Sequence, residues 1–153
     1  MRISFRQIQD VRRADLFAFH TDPGNLGVLL AGWRGFELLS HSGHIRPGAR
    51  VTLVQALGPL RFRMTFEHFL LEPPERFGER LVDGPFTKFE HVHAFEAEGE
   101  RTTIVDEVSF ELPWYRGGRI AERLIAAPLL RRFFAFRQEA YGRLIREHRI
   151  GSR

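Results

Sequence analysis

Residues able to move a proton or hold an anion fall inside otherwise apolar patterns of this 153-residue chain. In "GPFTKFEHVHAF", residues 84–95, strand alternation puts Phe89, His91, His93 and Phe95 on one face, so two imidazoles stand between two phenylalanine rings. The same alternation over 60–71 sets His68 among Phe62, Met64, Phe66 and Leu70, opposite Arg61, Arg63, Thr65 and Glu67. Over 101–112 it sets Asp106 among Ile104, Val108, Phe110 and Leu112, and over 49–57 it sets Gln55 beside Val51, Leu53 and Leu57. Near the C-terminus, Leu130, Phe133, Phe134, Tyr141 and Leu144 form a helical stripe with Arg137 at its centre. A buried guanidinium needs an acceptor, and Asp106 is the expected one.

This set suits proton transfer. A His or Asp in an apolar wall can act as general base at an activated CH₂, with Arg137 or a second His steadying the enolate. The candidate catalytic residues are therefore His68, His91, His93, Asp106 and Arg137. The competing reading makes the same residues hydrogen-bonded core histidines and a structural ion pair. Burial lowers an imidazole pKa and Asp106 raises it, so an imidazole titrating near neutrality is expected. His68, His91, His93 and Asp106 also have the donor count of a zinc site, but an HxH pair on a strand is a weak metal signal, and neither metal nor cofactor is expected.

Other chemistries are excluded by composition. With no cysteine there is no thiolate nucleophile, disulfide framework or thiolate zinc site. No nucleophile elbow, phosphate loop or carboxylate pair is present. The net charge of +4 would suit a polyanion, yet 22 of the 23 basic residues are arginine, spread from end to end, as codon enrichment in a GC-rich genome would produce. No nucleic-acid partner is expected. The opening "MRISFRQIQDVRRADLF" has no signal-peptide apolar run and no stretch has the length of a membrane span, which predicts a cytoplasmic protein without integral membrane contact.

The elements that must position these residues read as one domain over 1–153. "RISFRQIQ" (2–9) alternates as a strand, and Asp10 is the expected N-cap of a short helix that turns Val11, Leu16 and Phe17 inward. Thr21 or Asp22, followed by Pro23, opens a second short helix. Strands are then expected at 35–40, 49–57, 60–71, 76–82, 86–97 and 101–112, joined by turns short enough for an antiparallel meander. A long helix follows to Arg149, with a kink or break at Pro128. The fold class is α+β: a curved seven-stranded antiparallel sheet wrapped around a C-terminal helix, with two short helices after the first strand. A bent sheet gripping a helix leaves a space between them, and a Phe-rich lining packs it loosely.

The segments "GPLRFRMTFEHF" (58–69), "RFGERLVDGPFTKFEHVHAF" (76–95), "TTIVDEVSFELP" (102–113) and "FFAFRQEAYGRL" (133–144) resemble the SRPBCC superfamily of helix-grip proteins, the START and birch-pollen-allergen type. Within it the chain is similar to the bacterial ligand-binding group labelled cyclase/dehydrase or CoxG-like. The resemblance implies a deep apolar cavity between sheet and last helix, lined by the inward residues above, that binds a lipid, polyketide or isoprenoid-like molecule. The alternative it leaves open is a cofactor-independent cyclase or dehydrase using a cavity His or Asp. Phe62 and Phe89 stand where that group commonly has tryptophan, and "PWYRGG" (113–118) is bulkier than its usual turn. An exposed strand edge leaves a dimer open.

Overall fold

Period-two patterning over the first nine residues and from Gly35 onward is satisfied by seven strands: β1 (Arg2–Gln9), β2 (Phe36–His41), β3 (Arg50–Leu57), β4 (Leu60–Glu72), β5 (Arg76–Asp83), β6 (Lys88–Glu98) and β7 (Arg101–Glu111). The computed structural model describes residues 1–151. The strands form one antiparallel sheet in the order β1-β7-β6-β5-β4-β3-β2. Strands β2 to β7 follow as a meander, while β1 pairs with β7 from Arg2↔Ser109 to Gln9↔Thr102. The β1–β2 connection must therefore cross the width of the sheet. It carries two short helices, α1 (Arg13–Thr21) and α2 (Gly24–Leu29).

Register shifts lie between Leu38 and Ser40, Thr65 and Phe66, and His68 and Leu70. Such shifts bend strands and raise their twist, which is how a meander curls around a helix. The last one corrects the expected inward face of β4. Alternation holds through His68, but beyond the shift Leu71, not Leu70, stands opposite Phe77 and packs on the core. The outer face is held by charge ladders such as Arg50–Glu67–Arg80, with contacts of 2.9 and 3.0 Å.

The C-terminal rod starts with α3 (Gly118–Ala121), passes through a π-turn at Glu122–Ala126 and becomes α4 (Ala127–Arg146). The sequence places the irregularity at Pro128; it lies in the turn before, and Pro128 sits in the first turn of α4. Proline's ring collides with the carbonyl four residues back, and a widened turn relieves that clash without breaking the rod. The helix stops at Arg146, three residues short of expectation. There the Arg149 N–H donates to the Leu144 carbonyl (2.9 Å) and His148 N–H to Ile145 (3.0 Å), with His148 in the left-handed region at φ 55°. Asp10 does not cap α1, which begins after Arg12 with no side-chain cap. Asp22 does serve α2: its Oδ1 accepts the Gly24 N–H at 2.9 Å.

Two apolar clusters fill the concave side. One joins Leu16, Phe17, Phe77, Phe95, Ile104, Tyr141 and Leu144 between α1, the sheet and the C-terminal half of α4. The other joins Ile3, Val108, Phe110, Ala126, Ala127 and Phe134 under the start of α4. Gly35 is required where the chain enters β2. Its φ is +80°, and a Cβ there would lie 2.8 Å from both the Cβ and the carbonyl oxygen of Ala56.

Candidate functional site

Two rows of the sheet bring the titratable residues together. The pairings His68↔Glu79 and Glu79↔His91 place one row across β4, β5 and β6. The pairings Phe77↔His93, His93↔Asp106 and Asp106↔Phe5 place the next across β5, β6, β7 and β1. All point to the concave side, because residues two apart on a strand share a face. The helix α4 lowers Arg137 and Tyr141, one turn apart, onto this row, and α1 brings His20 to the same spot.

The result is a buried polar network. Asp106, with no solvent exposure, is its hub: His91 Nε2 donates to Asp106 Oδ1 at 2.9 Å, and His93 Nδ1 lies 2.7 Å from the same oxygen but out of hydrogen-bond alignment. Arg137 Nη1 approaches Oδ1 at 4.0 Å, while its Nη2 donates to the Tyr141 hydroxyl at 2.9 Å. Tyr141 in turn makes a close contact with His20 Nε2. On the far side, His91 Nδ1 is 3.5 Å from Glu79 Oε1, and His68 Nε2 is 3.5 Å from Glu79 Oε2. His68 Nδ1 donates to the Ala49 carbonyl at 3.2 Å. Asp106 Oδ2, His93 Nδ1 and Arg137 Nε are buried without a hydrogen-bond partner among the described residues.

Electrostatics divide the two central imidazoles. Burial pulls both down, but His91 is hydrogen-bonded to Asp106 and faces the carboxylate of Glu79, and its pKa is raised. Burial and the neighbouring charge on His91 bring His93 down to about 4. With ring centroids 3.8 Å apart, the two cannot comfortably both be cationic. His20 is held well below its ordinary value by burial, then by His93 and Arg137. Asp106 stays ionised well below the usual carboxylate range: burial opposes this, but Arg137 and the two histidines prevail. Glu79 keeps about a fifth of its side chain in solvent and falls to about 2 despite its desolvation, chiefly through His91. Burial pushes Tyr141 up to about 12, so it remains a hydroxyl donor. With His91 protonated, the network thus balances two carboxylates against one guanidinium and one imidazolium.

The expected candidates His68, His91, His93, Asp106 and Arg137 are joined in this network, and Tyr141 belongs to it through its hydroxyl. Gln55 does not: its Oε1 accepts the Trp33 indole N–H at 2.9 Å, away from the histidines. Glu79 and His20 are members that sequence reasoning missed. Glu79 alternates with Phe77 and Leu81 on β5, and His20 follows Leu16 and Phe17 at helical spacing on α1, so both carry an inward signal.

Among the described residues the network is closely covered. Phe77 stacks on His93 with centroids 4.3 Å apart, and His20 lies 5.2 Å from both His93 and Tyr141. Two hollows of the described structure lie at the surface, one of about 440 Å³ at Met1, Arg119, Glu122 and Arg123, the other of about 350 Å³ between β1 and α4 at residues including Phe5, Arg131, Phe134 and Gln138. The deep cavity implied by the resemblance is not one of them, because rings from α1, β5 and α4 close over the imidazoles. Packing is looser toward the other end of the concave side. There Phe36, Leu53, Phe62, Met64, Leu81, Phe86, Phe89, Leu130 and Phe133 are only half-buried, in contrast to the sealed Phe66, Phe95, Ile104, Val108, Phe110 and Phe134.

Donor atoms of Glu79, His91 and His93 lie within 4.8 Å of one another and are the described residues that could hold a metal ion. The guanidinium of Arg137 lies 4.0 Å from Asp106 Oδ1 beside this group. Chemically, the arrangement offers an imidazole whose proton is held more tightly (His91), a neutral imidazole (His93) and two donors suited to a developing oxyanion (Arg137, Tyr141).

The sequence profile of the family described as polyketide cyclase/dehydrase and lipid transport matches residues 10–138. Solved structures share the fold. A Rhodobacter sphaeroides protein superposes with a TM-score of 0.74 at 17% identity, over 95% of this chain and 93% of its own. Norcoclaurine synthase from Thalictrum flavum, a point mutant in complex with a transition-state analogue, superposes at 0.71 and 17% identity over 97% and 96%. Ara h 8.0201 does so at 0.69 and 13% identity over 95% and 97%. Comparison with curated protein sequences finds no match. The helix-grip architecture and the profile, which spans most of the chain, together make this protein a member of the polyketide cyclase/dehydrase and lipid transport family, within the SRPBCC superfamily.

Proposed function

We propose that this protein binds a hydrophobic small molecule, of lipid, polyketide or isoprenoid type, on the concave side of the sheet beneath the first half of α4. The observation that carries the reading is the contrast in burial: large apolar side chains such as Met64, Phe89, Leu130 and Phe133 face inward yet stay half-buried, next to a sealed polar network. Apolar walls with a few convergent polar groups are what a small-molecule site requires. A guest meets the half-buried rings first and reaches His91, His93 and Arg137 by parting them. Family membership supports the same reading. The test is extraction of freshly purified protein followed by mass spectrometry, with displacement of an anilinonaphthalene sulfonate probe by medium-chain fatty acids. A co-purifying apolar molecule or competitive displacement is expected. A clean apo mass together with no probe binding would refute the reading.

A second reading has its own observation. Two imidazoles side by side with pKa values shifted in opposite directions, and Arg137 at 4.0 Å from the carboxylate they share, form an acid–base pair suited to cyclisation or dehydration of a β-keto chain. Under this reading His93→Gln abolishes turnover of a poly-β-keto thioester analogue while leaving its binding intact; equal loss of both makes His93 a structural residue.

A further inference from the structure

The segment between β7 and α4 exposes an unusual amount of apolar surface. Trp114 is 86% exposed, Tyr115 68%, Ile120 72%, Leu124 72% and Ile125 54%, all within twelve residues. Their placement is not random. Ile120 and Leu124 are one helical turn apart, on the side of the rod away from Glu122. Glu122 is 5% exposed and turned inward, where its Oε1 accepts the Leu112 N–H at 2.9 Å. It is the only acid in the segment. Arg116, Arg119 and Arg123, interleaved with the apolar residues, all face solvent, and Arg119 and Arg123 border the 440 Å³ surface hollow.

We propose that this face, Trp114 to Ile125, docks on the surface of an anionic phospholipid bilayer. Isolated exposed apolar residues need no explanation, but five large ones within twelve residues of chain do. The charge pattern favours a bilayer: three guanidiniums outward and the one carboxylate inward make the face uniformly cationic, complementary to anionic headgroups. Trp and Tyr, with apolar bodies and polar edges, are the side chains that settle at the headgroup boundary, and Ile and Leu at i and i+4 give the shallow apolar insertion of an interfacial helix. The inference does not rest on the concave-face reading: docking can occur whether or not a guest is carried.

The test is co-sedimentation with vesicles of phosphatidylcholine alone and of phosphatidylcholine with about 30% phosphatidylglycerol, alongside tryptophan emission. Binding to the anionic vesicles at least roughly tenfold tighter than to the neutral ones is expected, with a blue shift that vanishes in Trp114→Phe, where Trp33 alone reports. Each arginine near such a surface contributes about fivefold, so replacing Arg116, Arg119 and Arg123 by Gln should weaken partition roughly a hundredfold. Ile120→Ser with Leu124→Ser should also lose binding. Unchanged partition in that double variant, or no partition of the parent, overturns the proposal. So does a parent dimer in sedimentation velocity that the double variant converts to monomer, since the face would then join two copies of this chain.

Discussion

Replacing Asp106 by Asn removes one charge from the hub of the network and almost no volume. In the parent, Asp106 faces His91 at 2.9 Å, His93 at 2.7 Å and Arg137 at 4.0 Å with no solvent exposure. Removing one partner of a buried ion pair strands the other and costs about 3–5 kcal/mol. At about 2–4 °C per kcal/mol for a domain of this size, the melting temperature should fall by roughly 6–20 °C. The loss has a specific cause, so it has a specific remedy. Adding Arg137→Met to Asp106→Asn removes the stranded guanidinium, and the double variant should be about 2 kcal/mol more stable than the sum of the single losses predicts. Urea denaturation at neutral pH of the parent, the two single variants and the double variant measures this. Asp106→Asn within about 1 kcal/mol of the parent, or strict additivity, would refute the claim that Asp106 compensates Arg137.

His93 is held neutral with its pKa at about 4 against 6.5 unfolded, so the unfolded chain takes up the extra proton first, and its contribution to stability is present above pH 6.5 and lost as pH falls toward 4. The loss approaches about 3 kcal/mol, and His93→Asn should flatten the stability profile over that window; an unchanged slope would contradict the assignment. His91 has the opposite sign: its raised pKa gives stability that is full below pH 6.5 and lost as pH rises through the folded value, and ring nitrogen NMR should find it still protonated above pH 6.5. Tyr141→Phe removes the hydroxyl shared by Arg137 and His20 and should cost about 1–3 kcal/mol by chemical denaturation. Gly35→Ala should cost more than the roughly 1 kcal/mol of a left-handed φ alone, because its Cβ meets Ala56 at 2.8 Å; a melt within about 1 °C of the parent would contradict this.

Much of the architecture is legible in the sequence because alternation and turn chemistry are local. The faces carrying Phe89, His91, His93 and Phe95, and Ile104, Asp106 and Val108, follow from period two alone. Leu70 is misplaced by that rule because a register shift after His68 leaves no mark in hydropathy. Pro128 announces the helix irregularity but puts it one turn late, since the clash falls on the preceding carbonyl. Of the site, His68, His91, His93 and Asp106 can be read directly, because their polar type stands out in an apolar strand pattern, whereas Glu79 on β5 is missed. Distances cannot: that His91 bridges two carboxylates while His93, two residues on, is left neutral depends on Glu79 lying across β5. Nor does a sequence show how tightly His20, Phe77 and Tyr141 close over the imidazoles, because packing density is a property of all the neighbours at once.

The central claim, that an apolar guest sits at the half-buried end of the concave side against the imidazole pair, is tested most directly by imidazole and aromatic NMR during titration with anilinonaphthalene sulfonate. The rings of Phe89 and Phe133 and the signals of His91 and His93 should shift together and saturate with one affinity. Saturable binding that perturbs Trp114 and leaves His91, His93 and Phe89 unchanged would contradict it.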